Sequence, residues 1–209
     1  NIYNIDRLAS NDTIEGGASF TLGNEFTIFD KEKSQDIFAL KFANNFRLEK
    51  NEDLPRNNQL NAKNSNFFGE ILFSPNEIIS TKYNASAKNN LTDINYENFI
   101  AEIKLNNLVT TFDYLNENNT SEKNSYLTNT TTYLIDNTNS LSFSTRENKT
   151  SDLTEYYNLM YQYRNDCLSA SIEYNKEYYS DGDIKPDENI FFKLTIIPFG
   201  ETSSPNLKK

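Results

Sequence analysis

Four carboxylates, Asp181, Asp183, Asp187 and Glu188, crowd a loop that also contains Gly182, and oxygen donors at that density are the raw material of a Ca²⁺ site. Their spacing does not follow the calcium-loop template, so a solvated acidic loop is the better reading. The chain has no histidine, which removes the usual general base and the commonest metal ligand. Catalysis therefore has little to stand on, and no cofactor or metal is expected. Cys167 is the single cysteine. In an oxidising compartment a lone thiol needs a partner elsewhere; otherwise it is a small unpaired side chain. What remains is charge of mixed sign: Lys41, Arg47, Lys82, Lys104, Arg146 and Lys193 against Glu25, Glu70, Glu102, Asp113 and Glu173. Such a mixture suits a hydrated surface better than a single-sign ion filter.

These charges fall in a pattern that only strands can position. Between residues 37 and 49, Phe38, Leu40, Phe42, Phe46 and Leu48 take even places while Lys41, Arg47 and Glu49 take odd ones. That period of two is the signature of a strand with unlike faces. Phe20, Leu22, Phe26 and Ile28 oppose Glu25; Phe67, Gly69, Ile71 and Phe73 oppose Glu70; Phe99, Ala101, Ile103 and Leu105 oppose Glu102 and Lys104. Leu108, Phe112 and Tyr114 oppose Asp113; Leu168, Ala170, Ile172 and Tyr174 oppose Glu173; Ile190, Phe192, Leu194 and Ile196 oppose Lys193. Two packed sheets would sort residues this way, and so would a membrane barrel, where a charge on the lipid face costs about 2–4 kcal/mol at mid-bilayer.

Composition bounds the class. The 209 residues are 36% hydrophobic with a formal net charge of −10, too polar for a helical membrane protein but compatible with barrel strands that leave mean hydropathy low. No basic stripe exists, and nucleic acid is not an expected partner. The chain opens on Asn1 without a basic region and apolar core, and it reads as a piece of a longer protein. Triplets such as Asn84-Ala85-Ser86 and Asn119-Thr120-Ser121 are glycan acceptors in form but arise by chance in so Asn-rich a chain.

Turns between the alternating runs predict about eleven strands, at 17–29, 37–49, 67–74, 78–88, 96–105, 108–116, 125–135, 140–147, 153–164, 167–179 and 189–199. The fold class is all-β: an antiparallel up-and-down meander, an open fragment of a large transmembrane barrel over residues 1–200, with 201–209 as a periplasmic tail. Phe42, Phe73, Ile103, Phe112, Leu159, Ile172 and Leu194 are expected on one face. The apolar face of 125–135 is not legible in Tyr126-Leu127-Thr128-Asn129-Thr130-Thr131-Thr132-Tyr133. Connections read as alternating short and long, as in outer-membrane barrels and unlike a Greek-key sandwich. On that pattern the last strand ends in the periplasm and Asn1 lies outside, so further strands are expected upstream. Tyr156, Tyr157, Tyr161, Tyr163, Tyr174, Tyr178 and Tyr179 suit either interfacial girdles or ordinary strand packing.

Tyr161-Gln162-Tyr163-Arg164-Asn165-Asp166-Cys167-Leu168, then Ile172-Glu173-Tyr174, Asp183-Ile184-Lys185-Pro186 and Leu194-Thr195-Ile196-Ile197-Pro198-Phe199-Gly200, resemble the barrel end of the LptD (OstA/Imp) family of lipopolysaccharide-assembly outer-membrane proteins. Asp6-Arg7-Leu8, Ile14-Glu15-Gly16-Gly17 and Phe73-Ser74-Pro75 resemble earlier segments of it. The resemblance implies a barrel of about twenty-six strands in the cell outer membrane, with a periplasmic domain lying outside this sequence. It implies an LptE-like lipoprotein plug, an LptA-like periplasmic bridge that supplies lipopolysaccharide, and contact with outer-membrane lipid. The glycolipid would leave sideways between first and last strands, making Phe192, Leu194, Ile196 and Pro198 one side of the seam. Pro198 lacks an N–H and suits a weakly paired edge, or it merely ends the strand. Family members link cysteines at the turn of Cys167 to the periplasmic domain; Asp166 takes the neighbouring place here, so at most one such bridge forms. The alternatives are a porin or receptor barrel and, from another class, a secreted β-sandwich binding module.

Overall fold

The computed structural model describes residues 16–52, 54, 59–89, 91, 93–118, 123–178, 186–196, 200–203 and 207–208. Asp6, Arg7, Leu8, Ile14, Glu15, Tyr179, Asp181, Gly182, Asp183, Ile184, Lys185 and Pro198 lie outside them. Eleven long strands follow in order: β1 (Ser19–Asp30), β2 (Gln35–Arg47), β3 (Phe67–Phe73), β4 (Ile79–Ala87), β5 (Ile94–Leu105), β6 (Leu108–Asn118), β7 (Lys123–Leu134), β8 (Asn139–Asn148), β9 (Leu153–Arg164), β10 (Leu168–Glu177) and β11 (Glu188–Ile196). Two short ones, β12 (Gly200–Ser203) and β13 (Leu207–Lys208), were not expected and both pair with β11. No helix occurs among the described residues. Strand order in the sheet follows chain order from β1 to β12, and neighbours run antiparallel from β1 to β4 and from β7 to β12. A meander of this kind has no Greek-key crossover, which the sandwich alternative requires.

The chain divides into two compact units, residues 1–100 with 115–124, and residues 101–114 with 125–209. In the first, Glu25 stands opposite Lys41 and Lys41 opposite Glu70, while Phe26 stands opposite Leu40 and Leu40 opposite Ile71. Register thus keeps like with like on each face, because directly opposed residues share a face. In the second, Phe143 opposes Leu159, Leu159 opposes Tyr174, and Ile172 opposes Phe192. The face of β7 is settled by its neighbour: Tyr133 opposes Leu141 and Thr131 opposes Phe143 on the apolar side, while Thr128 opposes Arg146 on the polar side. Hydroxyls stitch both faces, Thr130 to Ser144 at 2.9 Å and Thr132 to Ser142 at 2.7 Å on one, Thr110 to Thr131 at 2.8 Å on the other. Because threonine satisfies its hydroxyl across strands and still packs as a β-branched residue, alternation is invisible in this segment.

Taken alternately along the chain, the connections are 31–34, 74–78, 106–107, 135–138 and 165–167 in one set and 48–66, 88–93, 119–122, 149–152 and 178–187 in the other. The expected contrast in length rests on 48–66, 88–93 and 178–187, since 149–152 is no longer than 135–138. A shared device closes the tight turns. The side-chain oxygens of Asp30, Asn76, Asp136, Asn148 and Asn165 each accept backbone N–H bonds from the residues two and three places on. Such Asx turns supply acceptors that the ladder no longer provides where the chain reverses. Asn106 takes φ 48°, the left-handed conformation that asparagine tolerates, at the tightest reversal.

Asp136 shows the electrostatic side of this device. The N–H and hydroxyl of Thr138 and the amide of Asn139 donate to its carboxylate and lower its pKa from the ordinary value to about 2. A carboxyl depressed on folding contributes stability above its unfolded pKa of about 4 and loses it as pH falls through the folded value. Thermal unfolding followed from neutral pH down to about pH 2 checks this. Asp136→Asn should remove the part of the acid sensitivity that belongs to this turn while keeping the turn acceptor.

Candidate functional site

The polar face of the first unit carries a continuous ion row. Lys41 Nζ lies 3.3 Å from Glu25 and 3.6 Å from Glu70, and Lys82 Nζ lies 3.0 Å from Glu70. Four charges of alternating sign therefore cross β1, β2, β3 and β4. Each sits there because the register places Lys41 between two opposed glutamates, with Lys82 diagonal to Glu70, two residues along β4 from Asn84 that opposes it. All are part-exposed, so each pair contributes only about 0.2–1 kcal/mol. Their larger effect is on register, since a slip would replace attraction by apolar contact.

Next to this row lies a buried polar one that alternation alone did not reveal. Asn45 is 1% exposed and Ser65 and Asn66 are fully buried. The Asn45 amide donates to Thr21 Oγ1 at 3.0 Å and to Phe20 O at 3.2 Å, and Ser65 Oγ accepts from Asn45 N at 2.9 Å. Asn66 Nδ2 reaches Ser86 Oγ at 3.1 Å, and Asn44 Nδ2 donates to the carbonyls of Ser65 and Asn66. Here residues 63–66 run beside β2 without joining β3 regularly, and the asparagines supply bonds that the broken ladder lacks. The signal in the sequence was Asn44-Asn45 interrupting the run from Phe42 to Phe46, since asparagine is disfavoured inside strands. Arg47, at the end of β2 and 4% exposed, donates to Gly16 O, and Asn51 Nδ2 reaches the same oxygen at 3.1 Å. Gly17, at φ +84°, adopts a conformation that other residues resist, and an added Cβ would stand 3.2 Å from Arg47 Nη2.

In the second unit the charges are distributed over separate pairs. Glu102 and Lys104 meet along β5 at 2.8 Å, and Asp113 lies on β6. Arg146 binds Glu155 at 3.0 Å and stacks over Tyr126 at 4.1 Å from the ring centroid. Glu155 escaped sequence reasoning because it is the extra residue of a β-bulge: Arg146 opposes Tyr156 while Glu147 opposes Thr154. A bulge bends the strand and re-aims a side chain, and here it delivers a carboxylate to the guanidinium. Glu173 accepts from Asn158 Nδ2, and Lys193 stands opposite Ser171 on one side and Ser203 on the other. Phe192, Leu194 and Ile196 share the apolar face of β11 opposite Ile172, Ala170 and Leu168. Cys167 is exposed at the turn between β9 and β10, its N–H bonded to Asn165 Oδ1 at 3.0 Å. Of the acidic loop, Asp187 Oδ1 accepts from the Glu188 N–H, and no cluster suited to a metal occurs among the described residues.

Burial is inverted relative to a water-soluble domain. The buried apolar residues among those described are Ala39, Ala43 and Leu54, whereas the buried polar set is larger and includes Asn45, Arg47, Asn66 and Asn189. Meanwhile Leu22 is 61% exposed, Phe42 51% and Ile172 50%. Burying one side chain of that size is worth about 1.5–3 kcal/mol, and soluble monomers rarely expose more than a few hundred Å² of contiguous apolar surface. Large apolar side chains are thus exposed while polar ones are enclosed. Of the predicted site residues, the fold brings together Lys41, Glu70 and Lys82 in one place and Glu102 with Lys104 in another.

The family model described as LptD: LPS transport system D matches residues 1–147. Residues 157–200, which carry the close likeness read from the sequence, lie outside that match. No curated protein matches the chain.

Reversing the sign of Glu70 puts three lysines side by side. Glu70→Lys should cost roughly 1 kcal/mol of stability, and adding Lys82→Glu should restore part of it by renewing the opposite-charge pair across β3 and β4, while Lys41 still meets a like charge. Denaturant midpoints of the single and double variants check this, and an effect that shrinks in high salt is expected.

Proposed function

The chain belongs to the LptD family, and from that premise we propose that it is the wall of an outer-membrane translocon that inserts lipopolysaccharide into the outer leaflet by lateral exit from a β-barrel. The observation that carries the reading is the inverted burial of one meandering sheet, apolar side chains outward and ionic rows on the opposite face. In a bilayer every backbone polar group needs a partner within the protein, and a meander of laddered strands meets that demand. Residues 1–200 then form barrel wall and 201–209 a tail that leaves the periplasmic end of β11, with β12 and β13 paired back to that strand. The mixed-charge face suits a hydrated interior that passes the sugar and phosphate part of a large amphiphile and receives an LptE-like plug. Delivery from an LptA-like bridge falls to a periplasmic domain of the full-length protein. β11, with Phe192, Leu194 and Ile196, forms one side of the exit seam, and Pro198 follows it in the sequence. This is transport, not catalysis.

Depleting the full-length protein from cells tests the assignment. Lipopolysaccharide reached by an outer-surface label should fall while small-solute entry persists; unchanged surface lipopolysaccharide with impaired solute entry would favour a porin. The exposed thiol at the turn after Asn165 supports a second expectation, a disulfide from Cys167 to the periplasmic domain. Non-reducing electrophoresis of the full-length protein should show a mobility shift that Cys167→Ser abolishes, and a shift that survives in that variant would sink the bridge.

A further inference from the structure

On the apolar face of β10, Leu168, Ala170, Ile172 and Tyr174 follow one another at every second place, and the next residue on that face is Lys176. The 10 residues of this strand extend over about 33 Å at about 3.3 Å each. At a tilt of about 40° that becomes a rise of about 25 Å, the height of a barrel's apolar band, so Leu168 marks one margin of the band and Lys176 the other. Lys176 stands opposite Tyr157 on β9 and Glu188 on β11, which places all three on one face. Three rings gather beside it. Phe143 stacks on Tyr157 at 6.0 Å between centroids, Tyr178 meets Tyr157 edge-on at 5.7 Å, and the Lys176 ammonium lies 5.2 Å from the centre of the Tyr178 ring. The β-bulge in β9 builds this group: the carbonyl of its extra residue, Glu155, accepts the Tyr178 N–H at 2.8 Å and carries Tyr178 alongside Tyr157.

The carboxylates around this group are engaged elsewhere. The Tyr174 hydroxyl interacts with Glu188, and Glu147, on β8 toward the same end, holds Lys149 at 2.6 Å. Lys176 rests over a ring, and among the described residues it forms no ion pair. An ammonium seated on a ring keeps its remaining N–H donors for an anion. Tyr157 is 38% exposed and Tyr178 36%, so ring surface and hydroxyls are both open to a ligand. We propose that Lys176, Tyr157 and Tyr178 form a head-group site for a phosphorylated glycolipid of the outer leaflet, the ammonium taking a phosphate and the rings the sugar. Tyrosine has an apolar body that packs against the C–H face of a sugar and a polar tip that donates to oxygen, and such rings belong at head-group level. The inference rests on the reading above in taking the 178–187 connection as the outer end of the strands. It gives the exported glycolipid a resting place on the outside of the wall, beside β11, and not in the lumen.

The experiment uses the full-length protein with photo-crosslinking benzoylphenylalanine in place of Phe143, whose ring already stacks on Tyr157. It is reconstituted in phosphatidylcholine vesicles that contain either intact lipopolysaccharide or lipopolysaccharide stripped of phosphate, and the products are identified by mass spectrometry. A glycolipid product is expected with intact lipopolysaccharide. Its yield should fall about fivefold or more on phosphate removal or on Lys176→Gln, the loss expected for one charge-assisted hydrogen bond, and no further when both are applied. Equal yields with and without phosphate, or products with phosphatidylcholine alone, would mean that Lys176 only snorkels to the interface and would overturn the site. So would a Lys176→Gln variant that loses the intact and the phosphate-free product equally, which marks a packing role. The phosphate-free arm needs no change at Lys176, so a variant that failed to fold would leave the test intact. Glycolipid is supplied in the vesicle, so no outcome depends on delivery. If crosslinking fails while depletion still removes lipopolysaccharide from the surface, the site falls and the transport assignment stands.

Discussion

Strand side chains alternate with a period of two, so slipping one strand by a single residue would exchange its entire apolar and polar sets. Everything distinctive in this molecule depends on that slip not occurring. A one-residue shift of β2 against β1 would bring Lys41 beside apolar neighbours and turn Leu40 toward the ion row, with the error repeated at each position along the pair. The chain holds register by means that act at different ranges. Asx side chains fix where each tight reversal begins, hydroxyl pairs pin β6, β7 and β8, and alternating charges reward one alignment of β1 through β4. No one of these interactions is strong. Their agreement is what specifies the sheet.

Much of the sheet was legible because the polar face is charged. Where Glu25, Lys41, Glu70, Glu102 or Glu173 marks one face, alternation declares itself, and strands such as β3 and β9 fall within a residue or two of their expected bounds. The same reading identified the ion row's members without knowing that they touch. It stopped at β7, where threonines serve either face, and at Glu155, which enters its site through a bulge that no spacing rule announces. The buried asparagines escaped because their partners, Ser65 and Asn66, lie in the long connection after β2. A broken ladder is a tertiary fact. The tail of the chain was read as periplasmic, because Gly200 to Ser203 lacks the alternation of the other strands, yet it pairs with β11.

The inverted distribution of polarity also explains the composition. A sheet whose polar face needs hydrogen bonds rather than close packing can use Asn, Ser and Thr where a soluble core would need Leu and Val. Mean hydropathy then says little about what the outer face meets. Arg47 and the asparagines show how far this goes: they occupy the most enclosed places among the described residues and are held by backbone carbonyls and hydroxyls.

The irregularity between β1 and β2 has an evolutionary consequence. Ile28 opposes Phe38 while Phe29 opposes Asp36, which leaves Ile37 as a supernumerary residue whose carbonyl caps the turn after β3 by accepting from Ser74. Loss of one residue there would convert the bulge into plain ladder and leave the parity of β2 on both sides intact. Loss of one residue at Ala39, two places along, would invert the faces of the remainder of the strand. Length variation among descendants of this sequence should therefore gather at the bulge and in the connections, and the interiors of the strands should change by substitution only.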